Sequence, residues 1–234
     1  MRVLVTGAAG FIGNNLCRRL ADDGHDIFGL DDLSGGDFCN ILDFKLNFYE
    51  FDITRKMHFY VDHVVHLADH KGDDKIRSIN VAYNGTKNVL DNAYNTRGTK
   101  VTTVLYDVPN INDTVKLGLF KAYRIQNKID CKIVRCHDVY GPGMPSSKLT
   151  DIITKAIKGQ DIEFEDCHVF MSSLDNVIDS IIESMGSENH FNINSETEIY
   201  EEETIYNYVK EVIKGNKIPN VLLTRTIEYI ISRL

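Results

Sequence analysis

The chain has 234 residues, of which 43% are hydrophobic and 26% are charged, a composition typical of a soluble globular protein. Its 34 acidic and 26 basic side chains give a formal net charge of −8, which argues against nucleic acid as the main partner. No apolar run reaches the roughly 18 residues of a membrane span, and the chain opens on a strand-like segment without a basic leader. Five scattered cysteines without Cys-x-x-Cys spacing complete the expectation of a cytoplasmic protein with reduced thiols and no membrane partner.

The first 140 residues alternate short apolar runs with longer amphipathic stretches. Strands that alternate with helices in this way form a parallel sheet with helices on both faces, so the pattern predicts a doubly wound α/β fold. The predicted strands are Arg2–Thr6, Asp26–Leu30, Phe48–Phe51, His63–Leu67, Val101–Tyr106 and Lys132–Arg135, and the predicted helices lie near 11–23, 75–96 and 113–128.

The pattern changes after VYGPGMPSSK (139–148), the segment richest in Gly, Pro and Ser. The elements predicted beyond it are helices at Leu149–Lys158, Leu174–Met185, 201–214 and 223–233 and a strand around Ile162–Phe164, and the run HFNIN occupies 190–194. We therefore expect a larger domain over residues 1–140, with 168–194 packing back on it, and a small lobe built from 141–167 and 195–234.

The segment VTGAAGFIGNNL, residues 5–16, joins the first predicted strand to the first predicted helix. Gly7 permits a tight turn, Gly10 lets the backbone approach a phosphate, and Gly13 lets the helix pack closely against the strand. The helix start offers free amides and the positive end of its dipole to a pyrophosphate. Asp31 ends the second predicted strand, where a carboxylate binds ribose hydroxyls and repels a 2′-phosphate. The segment therefore predicts a dinucleotide site that prefers NAD to NADP.

Residues 1–36 resemble the opening of the extended short-chain dehydrogenase/reductase family, in particular its NAD-dependent nucleotide-sugar epimerases and dehydratases. Shorter pieces resemble later landmarks of that family, namely FDI (51–53), DHVVHLAD (62–69), GTKNVLDNA (85–93) and VRCHDVYGPG (134–143). The resemblance implies a Rossmann-type NAD-binding domain with a small C-terminal substrate lobe, and transient hydride transfer between a nucleotide sugar and bound NAD. Together with the glycine loop it assigns the cofactor to Gly7, Gly10, Phe11, Ile12, Gly13, Asp31, Asp32, Leu33, Asp52, Ile53, Leu67 and Ala68.

The residues that the family uses for chemistry are missing from their expected places. The family carries a Tyr-x-x-x-Lys pair on a helix and a Ser or Thr at the end of the fifth strand, and the tyrosine removes a hydroxyl proton. Here the fifth strand runs into residues 107–109 (Asp-Val-Pro), and a helix follows almost at once. Counting back from the matching strand that begins at Val134 puts the tyrosine and lysine near Pro109 and Asp113, which cannot serve. A modest shift offers Lys116 as the lysine, but the residue four positions earlier is Asn112. The catalytic residues therefore stay unassigned, and the enzymatic activity stays open.

Several other residues carry side chains that are capable of acid–base, nucleophilic or metal-binding chemistry. The literal spacings Tyr83/Lys87 and Tyr206/Lys210 lie outside the expected helix position and are interpreted as coincidences. Tyr140, His137 and Asp138 are candidates for a replacement acid or base, although a structural turn is the favoured interpretation. Cys136 is interpreted as a buried strand residue. The segment HLADHKGDD (66–74) lacks the spacing of a closed metal site, so no metal is predicted. The arginine that clamps the substrate diphosphate in the resembling family has no counterpart near 167–173.

The helix near 113–128 has apolar residues on more than one face, so a second surface is expected to cover it. In the resembling family this helix and the one near 75–96 form a dimer contact, which implies a homodimer. Two functions remain open: an NAD-dependent epimerase or dehydratase acting on a nucleotide sugar, and a catalytically inactive NAD-binding scaffold or regulatory protein.

Overall fold

The computed structural model describes residues 1–70, 72–126, 129–160, 164, 168–186 and 191–234. These residues form two compact units. Unit 1 contains residues 1–135 and 178–194, and unit 2 contains residues 136–177 and 195–234. The assignment of a cofactor role and a substrate role to separate domains stays a prediction.

Unit 1 is built on a seven-stranded sheet in the order β3-β2-β1-β4-β5-β6-β9. Pairs β1–β2, β1–β4, β2–β3, β4–β5 and β6–β9 are parallel, as the alternation of strands and helices predicts. Thr6 lies opposite both Leu30 and His66, so the carboxyl ends of the three central strands meet at one edge. The strands are β1 (Arg2–Thr6), β2 (Asp26–Asp31), β3 (Asn47–Glu50), β4 (His63–His66), β5 (Lys100–Tyr106), β6 (Cys131–Cys136) and β9 (Asn192–Asn194).

Strands β1 and β4 are largely buried because helices cover both faces of the sheet. Leu4 of β1 and Val64 of β4 join one hydrophobic core, which also contains Leu90, Phe120 and Ile133. The helices of unit 1 include α1 (Phe11–Asp22), α2 (Lys75–Asn80), α3 (Thr86–Thr96) and α4 (Ile111–Gln126). One helix was predicted near 75–96, and the structure interrupts it with a wider π-type turn at Val81–Gly85.

Helix α4 begins directly after residues 107–110, which confirms the predicted early start. Its first turn is closed by a reciprocal pair of bonds: the Asp113 amide donates to Asn110 Oδ1 at 3.0 Å, and the Asn110 amide donates to Asp113 Oδ2 at 3.2 Å. This capping arrangement satisfies two amides that a helix start otherwise leaves without partners. Burial raises the pKa of the Asp113 carboxyl, but its position is that of a helix cap.

Unit 2 has a three-stranded sheet in the order β10-β8-β7, with β8 parallel to β7 and antiparallel to β10. Its core contains Leu149, Ile153, Met171, Ile205 and Leu223. The elements are β7 (Asp138–Tyr140), α5 (Lys148–Ile157), β8 (His168–Ser173), β10 (Glu198–Glu201), α7 (Glu202–Ile213) and α8 (Val221–Ile231), and α6 (Leu174–Gly186) continues into unit 1.

Sequence patterns missed β7, β8 and β10, because three to six residues carry too little alternation to distinguish a short strand from a loop. The strand predicted at Ile162–Phe164 lies outside the described residues except for Phe164, which is in no strand. Among the described residues, no helix is both long and apolar enough to cross a membrane.

Candidate functional site

The loop between β1 and α1 has room for glycine alone at two positions. Gly7 has φ +74°, and a Cβ there would lie 2.9 Å from the Ala68 amide nitrogen. A Cβ on Gly13 would lie 2.0 Å from the Gly7 carbonyl oxygen. Gly7 therefore lets the end of β4 approach the loop, and Gly13 lets α1 pack against it, which are the roles that the sequence predicts for the tight turn and the close packing.

Gly10 serves a different purpose, because it caps the N-terminus of α1. Its backbone is extended, and in the described part of the chain no side chain caps this helix end. A Cβ on Gly10 would meet only the Gly7 carbonyl oxygen, at 3.3 Å, so the outer side of the turn is open. The first amides of a helix, here those of Phe11, Ile12 and Gly13, have no partner within the helix and form a positive end. This open, amide-lined turn fits a pyrophosphate.

Asp31 lies at the end of β2 and is held against the glycine loop. Its Oδ2 accepts the Ala9 amide at 3.0 Å and its Oδ1 accepts the Leu33 amide at 2.9 Å. The residue is 8% exposed, and burial raises the pKa of its carboxyl although the two amide bonds lower it. Each carboxylate oxygen can accept a further hydrogen bond, so Asp31 fits the hydroxyl donors of a ribose beside the pyrophosphate position.

Asp32 is turned to a different partner. Arg77 of α2 donates to Asp32 Oδ2 at 2.9 Å, and Ser34 donates to its Oδ1 through both amide and hydroxyl. Burial opposes ionisation, but the bonds from Ser34 and the charge of Arg77 hold the pKa of Asp32 below its usual value. Sequence reasoning missed Arg77, which lies 45 positions from Asp32 and belongs to no motif. The predicted cofactor residue Asp32 therefore anchors α2 to the loop after β2.

The end of β4 reaches the glycine loop through a buried polar cluster. His66 hydrogen bonds Thr6 through Nδ1 at 2.8 Å and Thr86 through Nε2 at 3.0 Å. Burial, followed by the charge of Lys116, lowers the pKa of His66 far below its usual value, so this imidazole is neutral. The Ala68 amide donates to Thr6 Oγ1 at 3.2 Å. The predicted cofactor residues Leu67 and Ala68 thus lie at the carboxyl edge, beside the turn that starts at Gly7.

The adenine-side residues Asp52 and Ile53 follow β3. Asp52 Oδ1 accepts the amide and hydroxyl of Thr54 at 2.9 and 2.8 Å, which closes a tight turn. Ile53 is buried against Gly85, and its carbonyl accepts Asn88 Nδ2 at 3.0 Å. The turn and the core hold these two residues in place, while their contact with an adenine ring stays a prediction.

Asn112 and Lys116, the pair that a modest shift of the expected tyrosine and lysine positions offers, both lie on α4. Lys116 is 3% exposed, and its Nζ donates to the Ala68 carbonyl at 3.1 Å and lies 3.4 Å from Asp69 Oδ2. Asn112 Nδ2 donates to Asp69 Oδ1 at 3.0 Å and to Ser78 Oγ at 2.7 Å. The lysine therefore lies beside the end of β4, whereas the Asn112 amide is neither an acid nor a base near neutral pH.

Tyr140 of unit 2, a candidate replacement base, is engaged in a closed network. Its hydroxyl donates to Glu198 at 2.7 Å and accepts from Asn220 at 2.8 Å, and Tyr200 donates to the same carboxylate at 2.8 Å. Burial and the bond to Glu198 raise the pKa of Tyr140 far above its usual value. A buried hydroxyl that donates to a carboxylate is held protonated, which supports the structural interpretation favoured from the sequence.

The other acid–base candidates have structural surroundings. His137 hydrogen bonds Thr197 at 3.0 Å and stacks on Phe170. Cys136 is buried and Asp138 is exposed. Of the two coincidental spacings, Lys87 pairs with Asp91 and Lys210 lies 4.2 Å over the ring of Tyr206.

In segment 66–74, Asp74 caps α2 and Asp69 faces Lys116. Within the ranges that the structure describes, no three His, Cys, Asp or Glu side chains are grouped to hold a metal ion. A cavity of about 330 Å³ lies at the opposite, amino edge of the sheet, lined by Arg2, His63 and Lys100 among others. The glycine loop lies at the other edge, outside the carboxyl ends of the strands, which is where doubly wound sheets bind their ligands.

Residues 3–106 match the model of a family described as the NAD dependent epimerase/dehydratase family. A UDP-glucose 4-epimerase of Mycolicibacterium smegmatis is 69% identical over 36 residues, which are 15% of this chain and 12% of that protein. The aligned segments cover between 11% and 47% of the length of this and two other curated relatives.

Two solved structures are similar over nearly the whole chain. The UDP-glucose 4-epimerase of Thermotoga maritima with UDP-glucose has a TM-score of 0.85 at 17% identity, covering 100% of this chain and 99% of that chain. WbmF of Bordetella bronchiseptica, in complex with NAD+ and UDP, has a TM-score of 0.84 at 18% identity, covering 99% and 92%. These likenesses confirm the predicted Rossmann-type fold.

Proposed function

We propose that this chain, whose residues 3–106 match the model of the NAD dependent epimerase/dehydratase family, belongs to that family, binds NAD and acts on a nucleotide sugar by transient hydride transfer. The observation that carries the proposal is the open amide turn at Gly10 with Asp31 beside it, at the carboxyl edge of a parallel sheet. When bound, NAD supplies a reversible hydride acceptor.

Each residue of this edge has a distinct task toward the cofactor. The α1 amides bind the pyrophosphate, and Asp31 accepts from the adenosine ribose and disfavours a 2′-phosphate, hence NAD over NADP. Arg77 and Asp32 neutralise each other in their ion pair, so Asp31 keeps the local charge negative. Lys116 supplies an ammonium group that contacts the carbonyl of Ala68, the residue that packs against Gly7 of the glycine loop.

The nucleotide-sugar assignment is supported by the similar structures, one of which contains UDP-glucose and another UDP. We propose a cytoplasmic location because the five cysteines are scattered and have no Cys-x-x-Cys spacing. We also propose a homodimer through α2–α3 and α4, supported by the exposed apolar side chains Ile76, Ile79, Tyr83, Ile111 and Ile125 on these elements. Small-angle scattering that returns a monomer mass at every concentration would refute the dimer.

A second function, NAD binding without turnover, is favoured by one specific observation. The expected tyrosine falls on Pro109 by direct counting and on Asn112 after a modest shift, and neither side chain can accept a proton from a sugar hydroxyl at neutral pH. The protein would then be a cofactor-loaded scaffold or regulator that keeps the binding half of the site.

A proton NMR time course separates the two functions. The protein is incubated with NAD and with UDP-, dTDP- and GDP-sugars, and NAD binding is followed by line broadening in the same tubes. New anomeric signals with one sugar establish the enzyme. NAD broadening without new signals establishes the scaffold, and the absence of broadening contradicts both.

A further inference from the structure

The cavity at the amino edge of the sheet is a second place where a small molecule fits. Its volume of about 330 Å³ is within the range of ligand pockets, which begins at roughly 300 Å³. The lining residues all belong to unit 1. Among them are His63 and Lys100, the first residues of β4 and β5, which lie opposite each other in the parallel register. The cavity is therefore separate from the glycine loop, which follows the carboxyl end of β1.

The cavity has an excess of positive charge, although the chain as a whole has a net charge of −8. Arg2 lies 3.8 Å from the Asp62 carboxylate, so these two charges cancel. Lys100 Nζ lies 3.9 Å from Asp130 Oδ2, and the same oxygen lies 3.7 Å from the Nζ of Lys132, which is 1% exposed. One carboxylate thus serves two ammonium groups, and one positive charge is left over.

Arg97 adds a second uncompensated charge. It is an exposed residue that lines the cavity, and within the described residues its guanidinium has no hydrogen bond or ion pair. Its φ of +46° lies in the left-handed region, which only a few per cent of residues other than glycine adopt. Backbone strain of this kind clusters at functional sites, so an arginine kept in this conformation points to a task for its side chain.

The hydrogen of the His63 ring is located by a chain of hydroxyl bonds. Ser184 donates its hydroxyl hydrogen to the Ile181 carbonyl at 2.6 Å, so its oxygen accepts the Thr102 hydroxyl at 2.9 Å. Since that donation uses the hydrogen of Thr102, its Oγ1 accepts from His63 Nε2 at 2.9 Å. Burial, followed by the charges of two lysines, lowers the pKa of His63 to about 3, so the ring is neutral and its Nδ1 is an acceptor.

Nδ1 of His63 is open to the cavity. Within the described residues it has no hydrogen-bond partner. It is not enclosed either, because Asn112 Oδ1 and Ser195 Oγ are the enclosed side-chain atoms without a partner in that part of the chain. His63 is 2% exposed and lines the cavity, so the accessible Nδ1 faces its interior. The cavity therefore combines two positive charges with one acceptor that needs a donor.

These groups select the chemistry of a ligand. A phosphate monoester carries about −1.5 to −2 charges at pH 7 and so matches two cations, whereas a carboxylate or a sulfate ester carries one charge. Nδ1 cannot bond an ionised phosphate oxygen, because both are acceptors, so it requires a hydroxyl elsewhere in the ligand. We propose that the cavity binds a small sugar phosphate, with its phosphate on Arg97 and Lys100 and one of its hydroxyls donating to His63 Nδ1.

Calorimetric titration of the unmodified protein with three ligands tests this chemistry. We expect one glucose 6-phosphate to bind per chain. Glucose 6-sulfate has the same hydroxyls but a single negative charge, so its Kd should be about 10-fold or more higher. Methyl phosphate lacks a hydroxyl, so its Kd should be about 3- to 10-fold higher. Absence of glucose 6-phosphate binding, or equal affinity for either analogue, overturns the proposal.

Two variants locate the bound phosphate. Arg97→Asn removes the guanidinium and introduces a residue that tolerates a positive φ, and Lys100→Met removes the ammonium group. Each should raise the Kd of glucose 6-phosphate about 10-fold or more and leave the Kd of NAD unchanged. Arg225→Gln is the matched control, because it removes an exposed arginine from α8 of unit 2.

Unchanged affinity for glucose 6-phosphate in both cavity variants, or an equal loss in Arg225→Gln, overturns the proposal. The inference does not depend on the proposed function, because its residues lie at the amino edge of the sheet. A protein that binds glucose 6-phosphate but not NAD would support this inference and contradict the proposed function.

Discussion

Gly10 and Gly13 of the glycine loop have different roles: Gly10 leaves room for a ligand, and Gly13 allows α1 to pack against the loop. Alanine substitutions at the two positions should therefore affect NAD binding and stability separately. In Gly10→Ala the new Cβ meets one atom at 3.3 Å and otherwise points into the open turn. The fold should lose no more than about 1 kcal/mol, the cost of alanine at a helix cap. The methyl group would stand where the pyrophosphate approaches the α1 amides, so we expect the Kd of NAD to rise about 10-fold or more.

In Gly13→Ala the new Cβ would lie 2.0 Å from the Gly7 carbonyl oxygen, well inside contact distance. Helix α1 must then move away from the loop by more than 1 Å, so we expect the free energy of unfolding to fall by about 3 kcal/mol. Gly118→Ala is the matched control, because nothing lies within 4 Å of its Cβ position on α4. It should stabilise the protein by about 0.5–1 kcal/mol and leave NAD binding unchanged.

The assays are urea unfolding and calorimetric titration of the three variants with NAD. If Gly10→Ala binds NAD as well as the unmodified protein, the pyrophosphate does not lie at this turn. If Gly13→Ala is as stable as the unmodified protein, α1 does not pack as closely against the loop as the structure shows.

Three further predictions concern single side chains. Asp31→Asn should raise the Kd of NAD about 10-fold and reduce the discrimination against NADP, measured by titration with both dinucleotides, since an amide no longer repels a 2′-phosphate. Tyr140→Phe should lower the free energy of unfolding by about 1–3 kcal/mol, because Glu198 loses a buried donor, yet should leave NAD affinity and any sugar turnover unchanged. Burial, followed by the charges of Lys132 and Lys100, lowers the pKa of His63 to about 3 in the folded protein. The pKa is about 6.5 in the unfolded chain, so between about pH 3 and about pH 6.5 the unfolded chain binds a proton that the folded protein does not. Stability should therefore be full above about pH 6.5 and about 2 kcal/mol lower at pH 5, and His63→Gln should flatten this part of the urea-unfolding profile.

The parts of the site that sequence reasoning found are local in the chain. The glycine spacing and the position of Asp31 follow from rules that relate neighbouring residues, namely φ preference, close approach and helix dipole. The early start of α4 was also predicted from the local pattern, and the structure adds the Asn110–Asp113 cap, which the sequence analysis did not identify.

The parts that it missed join residues far apart in sequence. Arg77 reaches Asp32 across 45 positions, and Tyr140 reaches Glu198 across 58. No periodicity reports such pairs, because they depend on which loops the sheet order brings to one place. Lys116 was recognised as the lysine after a shift, yet its contact with the Ala68 carbonyl required the structure.

The most direct test of the central claim is a calorimetric titration of the unmodified protein with NAD and, in parallel, with NADP. We predict saturable binding of one NAD per chain, with NADP weaker by about 10-fold or more, because the α1 amides bind the pyrophosphate and Asp31 rejects the added phosphate. Absence of NAD binding, or equal affinity for NADP, would contradict the account of this site.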